Sequence, residues 1–374
     1  MDFSYSAAAR DLAGMTRDLA TSGRPLWPAL AEAGVLAAAL PERAGGEGYG
    51  LAEQCAILIE LGRSAATVPY LPSIVAAASA IAHFGTDEQV ETWAIPAARG
   101  DLVLTVAIPG ALPTATPGAL PTATPGVLST ATPDSHMAVM PDTALGARTA
   151  ATPGVPSAAT PGILSVPTPG VLAVATPDSA PAATTAALVL APMGEEIALV
   201  PAASRPPDLA GRPETGHPRR DTLAGPGPEI PRISGAGWLR ARLTIGACAT
   251  QLGIAERALE MTASYARERV QFGRPIGSFQ AVSQRLADAW IDVEALRLAL
   301  WQAVCRPEPA EVATAGFWAV ETGHRVLHTA VHVHGGVGID VEYPLHRYFL
   351  AAEDHEFLLG GATRQLLDLA EVLP

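Results

Sequence analysis

Apolar residues recur at the three- and four-residue spacing of a helix through most of the first hundred residues. Proline and glycine interrupt the pattern at Pro41, at the glycine-rich stretch 45–48 and at Pro69, so the helices are short and their connections stiff. The spacing predicts helices over 12–19, 26–40, 51–61 and 74–84. We therefore expect residues 1–100 to form a small helical domain.

The last part of the chain returns to helical periodicity in longer runs. The spacing predicts helices over 238–268, 279–304 and 310–333, and two shorter ones that Gly360 and Gly361 separate. Short connections favour antiparallel packing of successive helices. Residues 236–374 are therefore predicted to form an antiparallel bundle with four-helix geometry.

The middle of the chain, residues 101–235, has a different composition. No Phe, Tyr or Trp occurs between Trp93 and Trp238. An eight-residue repeat, Pro-Gly followed by five residues and Thr, starts at positions 109, 117 and 125 and again at 153, 161 and 169. Because proline lacks an amide donor and breaks helices, the repeat allows only brief strands, turns or a polyproline-like coil.

Three apolar runs in this middle part predict buried strands over 171–175, 186–190 and 197–200. We expect a β domain whose surface loops were lengthened by the repeats, and the alternative is a tether without any sheet. With a helical domain on each side, the predicted fold class is α+β and mainly α.

Charge and cysteine content exclude several classes of protein. The chain has 24 basic and 37 acidic residues, and the net charge of −13 argues against a nucleic-acid binder, which needs a basic face. No apolar run reaches the ~18 residues that span a bilayer, and the first residues do not open a signal peptide. Cys55, Cys248 and Cys305 are too far apart for a disulfide or zinc pattern. We expect a cytoplasmic protein whose cysteines are small buried residues.

Two motifs in the C-terminal part point to a family. Residues 269–276 read Arg-Val-Gln-Phe-Gly-Arg-Pro-Ile, and Phe-Gln follows at 279–280. Residues 332–338 read His-Val-His-Gly-Gly-Val-Gly, and Tyr-Pro-Leu-His-Arg follows at 343–347. These stretches resemble the Arg-x-x-Phe-Gly…Phe-Gln and Gln-x-x-Gly-Gly-x-Gly signatures of acyl-CoA dehydrogenases.

The resemblance implies the three-domain fold of that family, with an N-terminal helical domain, a middle β-barrel-like domain and a C-terminal four-helix bundle. It also implies FAD-dependent α,β-dehydrogenation of an acyl-CoA thioester, with an electron acceptor such as an electron-transfer flavoprotein. Residues 277–293 and 331–361 look like the smaller subunits of bacterial α2β2 acyl-CoA dehydrogenases that act on cholesterol and related steroid side chains. In that subgroup two different subunits form each active site, so a homologous partner subunit is expected.

The family reaction needs a carboxylate base beside the α-carbon of the thioester. By resemblance, the base position after the Tyr-Pro stretch is Leu359, and the alternative position in the first bundle helix is Leu243. Leucine accepts no proton, so we assign no catalytic residue to this chain. The acidic residues just before Leu359 are predicted to form a solvated helix face with His355; they are Glu353, Asp354 and Glu356.

The resemblance also gives this chain one half of an FAD site. Arg269 would contact the pyrophosphate, because a guanidinium offers paired donors to phosphate oxygens. Gly335 and Gly336 would let backbone amides approach the dinucleotide closely. The other implied residues are Phe272 and Gln280 at the adenosine half and His332 in place of the family's glutamine. Since the middle domain lacks an aromatic ring to lie against the flavin, the ring pocket and the base would come from the partner.

Three other interpretations remain open. In the first, the chain is a self-sufficient homomeric dehydrogenase that uses Glu356 or Asp354. In the second, it is a structural homologue that does not bind FAD. A metal site is the third, because His324, His328 and His332 are spaced four residues apart on one helix. No His-Glu-x-x-His frame accompanies them, and no metal is assigned.

Overall fold

A computed structural model describes residues 6–108, 170–172, 188–201, 220–222 and 231–373 of the chain. The N-terminal part is helical, as the apolar spacing predicts. Its α-helices are α1 (Ala7–Thr21), α2 (Leu26–Glu32), α3 (Val35–Ala38), α4 (Leu51–Arg63), α5 (Ser79–Phe84), α6 (Asp87–Gln89) and α7 (Ile95–Ala98). Two π-helical segments, Tyr70–Ala78 and Val90–Ala94, lead into α5 and α7.

The run 26–40 is not the single helix that its spacing predicts. Gly34 has a φ of +75°, which a helix cannot accommodate, so the run divides between α2 and α3. Glycine takes this left-handed conformation without the steric cost of a Cβ. The chain therefore turns at Gly34, and Leu30, Val35 and Leu36 all reach the core.

The middle of the chain contributes a six-stranded sheet with the order β5-β2-β1-β3-β4-β6. The strands are β1 (Leu104–Ile108), β2 (Gly170–Leu172), β3 (Leu188–Met193), β4 (Glu196–Pro201), β5 (Arg220–Thr222) and β6 (Arg232–Ser234). β1 and β3 run parallel, with Leu104 opposite Leu188, and the other neighbours are antiparallel. The alternative interpretation of the middle part, a tether without any sheet, is therefore wrong. The octad repeats lie outside the described residues, apart from the three residues of β2.

The C-terminal part forms the predicted helices at nearly the predicted boundaries. They are α8 (Ala236–Glu268), α9 (Gln280–Cys305), α10 (Pro309–His334), α11 (Leu345–Leu358) and α12 (Ala362–Val372). α10 begins with a proline, which fits the first turn because that turn needs no amide donor. The described chain is thus mainly helical, with one six-stranded sheet and one two-stranded hairpin, the α+β class expected. The domain boundaries at residues 100 and 235 stay a prediction.

α8 is the central helix, and it contacts α4, α9, α10 and α11. Glycines allow its backbone to touch that of α4. A Cβ at Gly253 would lie 2.0 Å from the carbonyl oxygen of Ile59, and a Cβ at Gly62 would lie 2.2 Å from that of Thr250. The two helices therefore cross at a distance that only glycine permits.

An ion-pair network also connects the N-terminal helices with the bundle. The Glu256 carboxylate on α8 lies 2.7 Å from the Arg63 guanidinium on α4 and 2.7 Å from that of Arg297 on α9. Arg63 also pairs with Glu260 at 2.8 Å.

Among the described helices, none is long and apolar enough to cross a membrane.

The three cysteines are free thiols. Cys55 on α4 and Cys248 on α8 are buried, as expected for small apolar residues. Cys305 is exposed at the end of α9, so the expectation of burial is wrong for this residue. The helix ends there, and the last turn carries the side chain out of the bundle core.

Candidate functional site

The first motif forms a hairpin that follows α8 directly. α8 ends at Glu268, and the next residue, Arg269, takes an extended conformation. The hairpin consists of β7 (Val270–Gln271) and β8 (Arg274–Pro275). The two turn residues have positive φ angles, +52° at Phe272 and +77° at Gly273, as two-residue hairpin turns require. The amide of Ile276 closes the hairpin base by donating to the carbonyl of Arg269 at 2.8 Å.

Phe272 at the tip of this hairpin is 93% exposed. Its ring meets that of Phe279 edge to face, with centroids 6.1 Å apart. The Arg274 guanidinium lies 4.1 Å from the centroid of the Phe279 ring. An aromatic ring held this far into solvent by a short turn is typical of a surface that another molecule covers.

The second motif forms a turn at the end of α10. Gly335 has a φ of +64° and a ψ of −139°, a conformation that strongly favours glycine. Nothing lies within 4 Å of the position of a Cβ at Gly336, so a ligand can approach the backbone there. His332 is exposed in the last turn of α10.

The structure brings the two motifs to the same end of the bundle. Tyr265, one turn before Arg269, stacks on His334 with ring centroids 4.3 Å apart, and its hydroxyl donates to the His334 carbonyl at 3.5 Å. His334 directly precedes Gly335. Gln280 begins α9 just beyond the hairpin and is exposed. All six residues implied by the resemblance thus lie on segments that meet at this end.

The hairpin end carries cations that the described part of the chain does not neutralise. Within that part, no carboxylate lies at ion-pair distance from Arg269 or Arg274. Arg267 donates to the Ser264 hydroxyl at 3.0 Å and has no carboxylate partner there. In a protein with a net charge of −13, unpaired guanidinium groups beside an open glycine turn fit an anionic ligand such as a pyrophosphate.

Both positions that the resemblance gives to the base are apolar and buried. Leu359 and Leu243 belong to the hydrophobic core, with 5% and 9% of their surface exposed. The Gln365 side-chain amide donates to the Leu359 carbonyl, which fixes the turn between α11 and α12. Neither leucine offers a proton acceptor.

The prediction of a solvated face before Leu359 is wrong. Glu353, Asp354, His355 and Glu356 are all half-buried, because α11 packs against α10. Burial, with an added contribution from Glu353, raises the pKa of Glu356 to about 7. Burial also lowers the pKa of His355.

Glu356 faces histidines on α10. Its Oε2 lies 3.6 Å from Nδ1 of His324. The His324 and His328 rings lie 4.1 Å apart, and Nδ1 of His328 donates to the His324 carbonyl at 2.8 Å. His332 joins neither contact. Among the described residues, no group of three or more His, Cys, Asp or Glu side chains is arranged to hold a metal ion.

Sequence reasoning missed a cavity of about 530 Å³ beside the first motif. It is lined by one face of α8 and by Tyr343, and includes Arg257, Met261, Tyr265 and Glu268. It also missed His334, whose Nε2 is buried without a hydrogen-bond partner in the described chain. The only signal in the sequence was the position of Tyr265 and Tyr343 next to the two motifs.

Two family models match the chain. The N-terminal domain of acyl-CoA dehydrogenases matches residues 6–101, and the C-terminal domain matches residues 237–373. Together they cover more than half of the sequence. The chain therefore belongs to the acyl-CoA dehydrogenase family, whose members are oxidoreductases and for which FAD is the expected cofactor.

The relatives include two proteins of Mycobacterium tuberculosis. The chain is 41% identical to acyl-CoA dehydrogenase FadE27, over 98% of this chain and 97% of that protein. It is 28% identical to acyl-CoA dehydrogenase FadE28, over 91% of this chain and 90% of that protein.

Solved structures with the same fold include two heteromeric assemblies. A chain of the ChsE4-ChsE5 complex from Mycobacterium tuberculosis aligns over 100% of both chains, with a TM-score of 0.72 and 35% identity. A chain from a variant of the Tcur3481-Tcur3483 steroid ACAD aligns over 97% of this chain and 96% of that one, with a TM-score of 0.70 and 33% identity. Butyryl-CoA dehydrogenase from Megasphaera elsdenii shares the fold, with a TM-score of 0.69 and 18% identity over 99% of both chains.

Proposed function

We propose that this chain is the base-lacking subunit of a heteromeric, FAD-dependent acyl-CoA dehydrogenase. It pairs with a homologous subunit that carries the catalytic glutamate, the flavin-ring pocket and most of the acyl-CoA site. The substrate is the CoA thioester of a steroid side chain, and the reaction introduces an α,β double bond. The proposal on substrate and pairing is supported by the heteromeric structures of similar chains, one of which is named a steroid ACAD.

One contrast within the structure carries the proposal. Leu359 and Leu243, the two positions that the resemblance gives to the base, are buried and accept no proton. The hairpin residues Arg269 and Phe272 are exposed to solvent at the same end of the bundle as the Gly335 turn. A chain that has lost its base and kept an exposed dinucleotide half-site fits a role in completing the site of another chain.

FAD, when bound, would supply the two-electron acceptor of the dehydrogenation. The residues of this chain would bind and orient its nucleotide end. The Arg269 guanidinium would donate to the pyrophosphate, and the amides of Gly335 and Gly336 would approach it where no side chain intervenes. Phe272, Gln280 and His332 would border the adenosine half. The proton from the α-carbon would pass to the partner's glutamate, since the leucines at both base positions of this chain cannot accept it.

We further propose a cytoplasmic location and an electron-transfer flavoprotein as the acceptor of the electrons. The free cysteines are consistent with a reducing compartment, because Cys55 and Cys248 are buried and unpaired. Burial raises the pKa of the Cys55 thiol to about 12, so this thiol is unreactive.

Co-expression with the homologous subunit tests the proposal. We expect no flavin and no thioester oxidation by the chain alone, and a yellow, active complex with the partner. Arg269→Ala should lower the flavin content of the complex at least about tenfold, since it removes a charge-assisted contact to phosphate. Arg240→Ala, which changes an arginine that is also exposed but lies near the start of α8, is the matched control and should retain flavin. Oxidation of a thioester by the purified chain alone contradicts the proposal.

A second candidate is a self-sufficient homomeric enzyme that uses Glu356 as its base. One observation favours it, since a half-buried carboxyl with a pKa of about 7 is suited to proton abstraction near neutral pH. Its neighbours on α10, however, are the two histidines His324 and His328. Glu356→Gln separates the two candidates. Turnover of the complex should be nearly unchanged, whereas a general base would lose about 10²- to 10⁴-fold in rate.

A further inference from the structure

One arginine of α8 is half-buried without a partner of opposite charge. Arg242 lies in the first third of the helix, and its side chain reaches α4. Within the part of the chain that the structure describes, no carboxylate lies at ion-pair distance from its guanidinium. Burial lowers the pKa of Arg242. Arginine is seldom buried without an anionic partner, because taking its charge out of water is unfavourable, so this side chain indicates that an anion comes from elsewhere.

Buried hydrogen bonds hold this guanidinium in place. Its Nη1 donates to Oε1 of Gln54 on α4 at 2.7 Å, and the Gln54 side-chain nitrogen donates to the Ser79 hydroxyl at 3.1 Å. That hydroxyl donates in turn to the Ile74 carbonyl at 2.9 Å. Gln54 is 0% exposed and Ser79 is 3% exposed. The bond to Gln54 uses one of five guanidinium N–H donors, so the support orients the group and leaves donors for a ligand.

Aromatic rings form a wall beside the guanidinium. The Cζ atom of Arg242 lies 4.5 Å from the centroid of the Trp238 ring. The His83 ring stacks on Trp238 with centroids 5.0 Å apart, and Phe84 meets Trp238 edge to face at 5.5 Å. His83 is exposed, whereas Trp238 is half-buried. A small molecule can therefore reach the guanidinium from the His83 side and contact apolar surface on the way.

The charges around Arg242 favour an anion with a single charge. Burial, with added contributions from Arg242 and Arg43, lowers the pKa of His83, so this ring is neutral at pH 7. Arg43 is paired with Asp87 at 2.8 Å. One positive charge therefore remains uncompensated. A carboxylate carries one negative charge, and its two oxygens match two parallel N–H donors of a guanidinium.

We propose that Arg242, supported by Gln54 and bordered by the Trp238 ring, binds the carboxylate of a small organic acid with an apolar body. Arg242 lies 27 positions before Arg269, which corresponds to about 40 Å along α8. The carboxylate site is thus separate from the dinucleotide half-site, and it does not depend on the proposed function.

Calorimetric titration of the full-length chain with benzoate tests the site. Benzoate carries one carboxylate on a flat apolar ring, and benzamide has nearly the same shape without the charge. We expect a roughly millimolar dissociation constant for benzoate and at least about tenfold weaker binding of benzamide. Arg242→Gln removes the charge and keeps a donor for Gln54, and it should also weaken benzoate binding at least about tenfold. Arg240→Gln removes an exposed charge about 160° away around the same helix and is the matched control, which should bind benzoate as the wild type does.

A second variant keeps the test valid if Arg242→Gln disturbs the fold. His83→Glu changes an exposed residue and brings a carboxylate of the chain itself close to Arg242, so it should weaken benzoate binding as strongly. His83→Gln, which adds no charge, should leave benzoate binding nearly unchanged.

Three results overturn the carboxylate site. They are unchanged benzoate binding in both Arg242→Gln and His83→Glu, equal binding of benzamide and benzoate, and no saturable binding of benzoate by the wild-type chain. Tighter binding of inorganic phosphate than of benzoate also overturns it, since the site would then select a phosphate. The flavin content of the complex with the partner subunit tests the proposed function and is independent of all these results.

Discussion

Glu356 shows how the packing of neighbouring helices changes the ionisation of a side chain. The sequence places Glu356 in a polar stretch, which predicts an exposed face. In the folded chain α11 packs on α10, and only 21% of the Glu356 side chain stays exposed. The carboxyl is then held near Glu353 and Glu321, which both oppose its ionisation, and His328, which favours it. Helical periodicity cannot report these neighbours, since two of them lie on another helix.

The raised pKa of Glu356 predicts a pH-dependent stability. The unfolded chain ionises this carboxyl near its ordinary pKa of 4.5, whereas the folded chain retains the proton up to about pH 7. The free energy of unfolding should therefore decrease as the pH rises from about 4.5 to 7. Glu356→Gln removes the ionisation and should stabilise the fold by roughly 2 to 3 kcal/mol at pH 8, with little change at pH 4.5. Urea unfolding at the two pH values measures this.

Glu91→Gln changes an exposed carboxyl on the segment Val90–Ala94 and is the control for Glu356→Gln. It should change the unfolding free energy by less than about 0.5 kcal/mol at either pH. An equal gain from both variants would mean that general charge repulsion, and not the site of Glu356, explains the effect.

The motif residues of the candidate site were easier to predict. Arg269, Phe272 and Gln280 were found from the motif that contains them, and the structure places them on connected segments at one end of the bundle. Their assignment to FAD stays a prediction. The motif did not reveal His334, because its role as the ring stacked on Tyr265 arises only when α8 and α10 meet.

At the scale of elements, the long helices were predictable because each carries its own signals. α8, α9 and α10 end within a residue or two of the positions given by apolar spacing, proline and glycine. The break between α2 and α3 was missed, because a single glycine with a positive φ leaves the apolar spacing unchanged. The contact between α4 and α8 could not be predicted from the sequence either, because the glycines that allow it are far apart along the chain.

Gly253→Ala tests the crossing of α4 and α8. The new Cβ would lie 2.0 Å from the carbonyl oxygen of Ile59, a backbone atom that cannot move aside. The helices must separate, which should lower the free energy of unfolding by roughly 2 to 3 kcal/mol. Gly14→Ala in α1 has open space around its Cβ and should instead stabilise by about 0.5 to 1 kcal/mol. Thermal unfolding of both variants gives the comparison, and a neutral Gly253→Ala would contradict the close crossing.

At the scale of the whole molecule, the two helical parts depend on each other. Glu256 is 12% exposed and pairs with Arg63 from the N-terminal helices and Arg297 from the bundle. Tyr348 adds a link by donating its hydroxyl to the Arg63 carbonyl at 2.7 Å. These partners are separated by up to 285 positions in sequence, so no local pattern could indicate them.

Glu256→Ala should leave two guanidinium groups facing each other without the carboxylate between them. We expect a loss of about 3 kcal/mol in the free energy of unfolding, as for other largely buried charge pairs that lose one partner. Arg24→Ala removes an exposed pair with Glu32 and should cost less than about 1 kcal/mol. Urea unfolding in low salt measures both, and similar small losses would show that the network does not join the two parts.

The sequence by itself determined the mainly helical class, the positions of three of the six strands in the middle part, the family, and the lack of a carboxylate at the two positions that the resemblance gives to the base. These properties depend on residue identity and on local spacing, which a linear pattern records. Only the tertiary structure decided that Glu356 is half-buried and that the hairpin and the Gly335 turn share one end of the bundle. Burial, pKa and free surface depend on which distant segments come together, and that information exists only once the chain has folded.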